Sequence, residues 1–416
     1  MNKYTPEMIK FVLDAKDSGL TYKQVTKQFN EKFNLNKTSN ALRKVYNSYV
    51  DVDFDEETLE KAAKAQYRAS AMNSRLRKIN KAVIQDTVYK EDFIDSLKDV
   101  LDNNPPKIHK PVKTKKSKKK TKRTIVAHVS DTHIGCCIRK EEMDNVNEFN
   151  PTVAARRFAY YFKQVAEYKP EHRDETDLVM VLNGDLVAGI IHDQEWGVLP
   201  MTTQFSLALS IFTQGISYLA QQFNNVRVIC TTGNHGRYMH KSNKGRVSNA
   251  KWDGFDVNIY IALEYALKSH KNVSFQIPET PYAKFEIQGH KFFATHGDTV
   301  VSVGNVSKTI NIHRIKDQLN DISSALGEKV DVALIGHIHK ATWQTLDNGT
   351  ELLINGTLSG TDGFAQSIGI LHNNPSQQII EVTEKYSAGD VRFVRVKDAD
   401  NMKELDKIIE PMTSSF

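Results

Sequence analysis

From residue 124 onward, short apolar runs alternate with helical patterns, and each run is hydrophobic along most of its length. "TIVAHVS" (124–130), "LVMVLN" (178–183), "VRVICTT" (226–232), "KFFATH" (291–296), "DVALIG" (331–336) and "ELLING" (351–356) read as strands. Runs this short and this continuously apolar suit strands covered on both faces. Helical spacing fills the intervals at 153–168, 203–223, 256–270 and 308–326. Such alternation predicts an α/β fold, a layered sandwich of two sheets flanked by helices, over residues 124–400. The later runs "SQQIIEV" (376–382) and "VRFVRV" (391–396) are expected to complete the second sheet. The tail, 401–416, carries no readable pattern.

The first five runs end alike. Asp131 and His133 follow the first, Asp185 the second, and Asn234 and His235 the third. His296 closes the fourth, and His337 and His339 follow the fifth. Carboxyl ends of strands are where open α/β sheets place their sites. Gly184, Gly233, Gly297 and Gly336 stand among these residues and permit close backbone approach. Carboxylate, imidazole and amide ligands together suit borderline divalent ions such as Mn, Fe or Zn. His128, inside the first strand, is expected to be a packed or supporting residue. Asp362 and Gln366 are candidates for the site's rim.

The ordered motifs D-x-H, G-D, G-N-H, H-G-D and G-H-x-H resemble the calcineurin-like metallophosphoesterase superfamily, over roughly residues 124–360. The resemblance implies two divalent metal ions, Mn first among the candidates. It implies that Asp131, His133 and His339 hold one ion and Asn234, His296 and His337 the other, with Asp185 bridging. His235 would stay off the metals, face the scissile phosphate and act as general acid. Many members continue the third motif with an acid. Here Gly236 stands there, so either another carboxylate orients His235 or the ring is held less tightly. The following loop offers Arg237, His240 and Lys241, and His192 lies in the loop after the second motif; all four are candidate substrate contacts.

A small all-α domain is expected in front of this body. Residues 1–50 read as three short helices. Thr5-Pro6 and Thr21 give N-terminal cap signals, and Val25, Phe29, Leu42 and Val45 form apolar stripes. The pattern resembles a helix-turn-helix, with Lys37, Arg43 and Lys44 as candidate DNA contacts. Residues 51–106 read as a helical spacer. Residues 107–123 contain ten Lys/Arg and no acid, an extended lysine-rich linker. The total charge of +6 hides a segregation: residues 124–416 carry −6. A basic arm before an acidic body points to a polyanionic partner.

These features together predict a dinuclear-metal-dependent phosphodiesterase, foremost a DNA nuclease similar to the SbcD-type repair exonucleases, with an ATPase or a second copy as further partner. One alternative is a phosphodiesterase of small or cyclic nucleotides. The other is a DNA-binding regulator whose phosphoesterase fold is only a scaffold. Three cysteines and the lack of a long apolar run or signal peptide point to a reducing, cytoplasmic setting without a membrane partner.

Overall fold

The computed structural model describes residues 4–51, 123–168, 176–190, 198–238, 252–298, 310–362, 366, 374–402 and 405. All of the spacer after Asp51, nearly all of the linker and most of the tail lie outside the described residues, as do His192, His240 and Lys241. The chain divides into two units, Met1–Asp102 and Asn103–Phe416.

In the first unit, α1 (Pro6–Asp17), α2 (Tyr22–Phe33) and α3 (Ser39–Tyr49) form the expected three helices. Each begins at a threonine, Thr5, Thr21 or Thr38, whose hydroxyl accepts a first-turn N–H. Ile9, Val12, Val25, Phe29, Leu42 and Val45 meet in one buried cluster, so the unit has its own core. On α3 the opposite face, with Asn40, Arg43, Lys44 and Asn47, is exposed.

The second unit contains two sheets. The first has the order β11-β10-β1-β2-β3-β4. It comprises β1 (Arg123–Val129), β2 (Thr176–Asn183), β3 (Val226–Thr231), β4 (Val273–Gln276), β10 (Ser376–Thr383) and β11 (Asp390–Arg395). The second, β5-β6-β7-β9-β8, comprises β5 (Tyr282–Ile287), β6 (His290–Thr295), β7 (Val332–Ile335), β8 (Thr342–Thr345) and β9 (Glu351–Ile354). The expectation that β10 and β11 complete the second sheet is overturned. β10 pairs antiparallel with β1, Ala127 opposite Ile379, and β11 pairs with β10. Together they cover the edge that β1 would otherwise expose.

Alternate residues of both sheets face each other. Val126, Val179, Val181 and Ile380 of the first sheet pack on Phe292, Ala294, Val332 and Leu334 of the second. The helices α4 (Pro151–Glu167), α5 (Met201–Gln222), α6 (Phe255–Ala266) and α7 (Ile312–Leu326) complete the layers. Tyr161 of α4 donates to the Gln378 carbonyl and Tyr260 of α6 to the Thr231 carbonyl, each at 2.7 Å. On the other sheet, Ile315 and Leu319 of α7 cover Phe293, Ala333 and Ile335. Among the described residues no helix is long and apolar enough to cross a membrane.

With a side-chain period of two, the intersheet face continues past the apolar residues to His128, Asn183 and His296. All three are fully buried. The hydrophobic layer thus turns polar at the carboxyl ends of the strands.

Candidate metal centre

Five loops meet at that end, and they are laced to one another through the backbone. The N–H groups of Thr132 and His133 both donate to the Asp185 carbonyl, at 2.9 and 3.1 Å. Asp131 N–H donates to the Gly184 carbonyl at 3.1 Å. A Cβ on Gly184 would lie 2.4 Å from the Gly233 nitrogen, and one on Gly233 would lie 2.0 Å from Asp185 Oδ1. These two glycines are therefore demanded by the approach of the second loop to the third.

Asp131, His133, Asp185, His337 and His339 all have φ between 44° and 64°. A side chain in this left-handed region costs about 1–2 kcal/mol. The interlocked loops hold all five there, and the conformation turns their side chains toward a common centre.

Three triads of ligand-type atoms form, each with its atoms within 4.8 Å of one another. One joins Asp131, His133 and His339; a second joins Asp185, His296 and His337. A third, His133, Asp185 and His235, links them. His133 Nε2 and His339 Nε2 are 3.2 Å apart, and His339 Nε2 is 3.2 Å from Asp131 Oδ1. His296 Nε2 stands 2.9 Å from Asp185 Oδ2 and 3.9 Å from Asp131 Oδ1. Thus Asp131, His133, Asp185, His296, His337 and His339, predicted from sequence, are brought together.

Asn234 and His296 add to this. The Oδ1 atom of Asn234 is buried, yet it has no hydrogen-bond partner among the described residues. Buried polar atoms left unsatisfied call for an explanation. The buried Nε2 atom of His296 meets the Asp185 carboxylate at 2.9 Å. The carboxylate and imidazole atoms of the triads have the chemistry of a cation site, so the residues present fit divalent ions.

The groups behind these atoms fix their tautomers. His296 Nδ1 donates to the Asn183 carbonyl at 2.9 Å, which directs Nε2 into the centre. His128 bridges Gln378 Oε1 at 3.0 Å and Asn183 Nδ2 at 3.1 Å, as a supporting residue. Burial pushes its pKa down to about 4. Asp131 accepts from the His337 N–H with both oxygens, each at 3.0 Å. Its main-chain carbonyl accepts from Thr357 Oγ1 at 2.9 Å and from Leu358 N–H at 3.0 Å. Burial alone would raise the Asp185 carboxyl, but the imidazoles of His296 and His235 hold it well below the usual range. Burial lowers and Asp185 raises His296, with the net result about 10. Burial and His296 bring His337 down to about 4.

His235 Nδ1 donates to the Ala188 carbonyl at 2.7 Å. The backbone N–H of His235 donates to Asp185 Oδ1 at 2.7 Å, so a carboxylate holds the residue while the second loop's backbone holds the ring. Gly189 lets that loop lie against His235. The ring stands 4.5 Å from that of His133.

The candidate contact Arg237 is one-third exposed, with Nη2 3.4 Å from Asp298 Oδ2. Gln366 donates its N–H to the Asp362 carbonyl at 2.9 Å. The Arg43 guanidinium lies over the Tyr22 ring and the Lys37 ammonium over Tyr4. Lys44 is exposed.

Sequence reasoning missed Asp256. Its carboxylate is buried and accepts N–H donors from Asp185, Leu186 and Gly233. Burial and the neighbouring Asp185 push it up to about 6. An acid in a helix's first turn reads from sequence as a dipole partner, so nothing marked it.

Residues 125–341 match the model of the calcineurin-like phosphoesterases. The chain belongs to that family. Three solved structures are similar to parts of the chain. A 5'-nucleotidase from Candida albicans is 11% identical over 71% of this chain and 58% of its own, with TM-score 0.34. PhoD is 8% identical over 69% and 70%, with TM-score 0.32. Wild-type Vps29 from Entamoeba histolytica, complexed with zinc, is 16% identical over 52% and 97%, with TM-score 0.27. No curated protein sequence matches the chain.

Proposed function

We propose that this calcineurin-like phosphoesterase is a dinuclear-metal-dependent phosphodiesterase whose substrate is DNA. The observation that carries the metal reading is the pair of triads (Asp131, His133 and His339; Asp185, His296 and His337), linked through His133 and Asp185. In this reading Asp131, His133 and His339 hold one ion, Asn234, His296 and His337 the other, and Asp185 both. Divalent ions bound there would screen the phosphate's charge and lower the pKa of the attacking water.

The protein's own groups do the rest. His235, with Nδ1 committed to Ala188, presents Nε2 and delivers a proton to the leaving oxygen. Arg237, at the rim, pairs with a flanking phosphate, and His240, Lys241 and His192 are proposed to join it.

Two features favour DNA over a small nucleotide. The exposed face of α3 presents Asn40, Arg43, Lys44 and Asn47 from an 11-residue helix without an acid. Amide and guanidinium side chains on one helix face suit base edges in a major groove. The run 107–123, with ten Lys/Arg, adds sequence-independent attraction for phosphates. Both would raise the local concentration of DNA at the catalytic body.

The test is hydrolysis by the purified chain with Mn on labelled DNA, RNA, cyclic dinucleotides and bis(p-nitrophenyl) phosphate, beside Asp185→Asn. DNA cleavage that needs Mn and Asp185 supports the proposal. Preferential cleavage of a cyclic dinucleotide would replace it with the small-nucleotide reading. Hydrolysis undiminished in Asp185→Asn would refute the metal assignment.

A further inference from the structure

Asp256 spends its carboxylate in an unusual way. It lies in the first turn of α6, whose amino end at Gly254 has no side-chain cap. An acid there ordinarily serves its own helix. Asp256 instead turns its oxygens to two other loops. Oδ2 accepts from Asp185 N–H at 3.2 Å and from Gly233 N–H at 2.9 Å. Oδ1 accepts from Leu186 N–H at 3.2 Å. One of these donors is the backbone of the candidate bridging carboxylate, and another immediately precedes Asn234.

The neighbouring backbone is shaped around this carboxylate. A Cβ on Gly236 would lie 2.9 Å from Asp256 Cγ. Gly236 is not among the residues with positive φ, so space and not conformation requires glycine there. The start of α6 leans on the same spot: Phe255 N–H donates to the Gly236 carbonyl at 2.6 Å. A Cβ on Gly254 would come within 2.7 Å of that carbonyl oxygen.

We infer that Asp256 is a positioning residue of the metal centre: one buried carboxylate locks the loops of Asp185 and Asn234 in register, and Gly236 exists to admit it. The inference rests on the reading of the site as a metal centre. Oriented backbone donors leave Asp256 no ligand role of its own. Its effect is transmitted through the two ligands whose loops it ties. It also places a second negative charge behind Asp185, which favours dications over water in the cluster.

The experiment is Mn titration of the full chain, stripped with EDTA, by calorimetry. The near-isosteric Asp256→Asn is the first variant, since its amide must face at least one N–H donor. The expected result is Mn affinity weaker by about 10–100-fold. Its metal-free melting temperature is expected to stay within a few degrees of wild type. kcat should fall and KM should hold. The double variant Gly236→Asp/Asp256→Gly, which returns a carboxylate to the same space from the other chain position, is expected to recover most of the affinity. Wild-type affinity in Asp256→Asn overturns the inference. So does an Asp256→Asn chain that is unfolded without metal, which would make Asp256 a folding residue. A folded double variant that binds Mn no better than Asp256→Asn overturns it as well. Wild-type protein that takes up no Mn sinks the metal-centre reading instead.

Discussion

The ring of His235 donates from Nδ1 to the carbonyl of Ala188 at 2.7 Å. A neutral acceptor fixes the tautomer without adding charge beside Nε2. The contact depends on Gly189, which has φ +74° and whose Cβ would fall 1.9 Å from the His235 carbonyl oxygen. His235→Ala should lower kcat on DNA by about 10²–10⁴-fold while leaving Mn affinity intact. The loss should be smaller on bis(p-nitrophenyl) phosphate, whose leaving group needs less protonation. Gly189→Ala should also lower kcat, by displacing the ring. Kinetics on both substrates beside an Mn titration check this; metal loss in His235→Ala would place that ring among the ligands.

Much of this geometry was legible, and the reason is local. Asp131, Asp185 and His337 each follow a buried strand directly, and strand ends can be read from hydrophobic run length. The glycines beside them mark close approach. By contrast Ala188 acts through its main chain, which sequence does not specialise, and Asp256 acts across 71 positions on Asp185. The sheet assignment of β10 failed because its pairing with β1 spans the whole domain. The strand β5 was missed although Ala283, Phe285 and Ile287 alternate with Lys284 and Glu286. Its turn, Gln288-Gly289 with φ of 53° and 89°, lacks the Asn or Asp that usually signals a hairpin.

Metal should stabilise the fold, because the five loops hold strained residues and like-charged groups together without it. A ligand that binds only the folded state adds about 2.7 kcal/mol at 100 times its Kd. Thermal unfolding with increasing Mn should therefore show a steady rise in Tm for the wild type. Asp185→Asn should flatten that rise. Equal shifts in both proteins would assign the effect to another site.

Arg157 is a second feature that sequence did not reveal. Its guanidinium is fully buried and reaches Asp400 Oδ1 at 2.9 Å and Oδ2 at 2.8 Å. It also donates to the carbonyls of Leu358 and Ser359, at 2.8 and 3.1 Å. Since Leu358 N–H holds the Asp131 carbonyl, the arginine braces the site from outside. Removing the guanidinium strands the buried Leu358 and Ser359 carbonyls while Asp400 keeps partial solvent access, a cost of about 1–3 kcal/mol. Arg157→Met should lose that much in urea unfolding and also weaken Mn binding. A loss under 1 kcal/mol would mean that the carbonyls and Asp400 find other partners.

His128 gives a pH dependence whose sign can be worked out. Burial lowers its pKa from 6.5 to about 4, and the ring is neutral between Gln378 and Asn183. The unfolded chain takes up a proton as pH falls below the ordinary histidine value of about 6.5, while the folded chain does not until about 4. Stability is therefore full above the upper value and declines toward the lower one, by up to about 3 kcal/mol from this residue. His128→Asn removes the titration and keeps an amide donor toward Gln378. Urea midpoints of both proteins, measured in EDTA at steps from pH 7.5 to 4.5, isolate the contribution because the other histidines cancel. The wild type should lose more stability than the variant across that interval. A difference that stays constant with pH would mean the buried ring accepts its proton in the folded protein as readily as in the unfolded one.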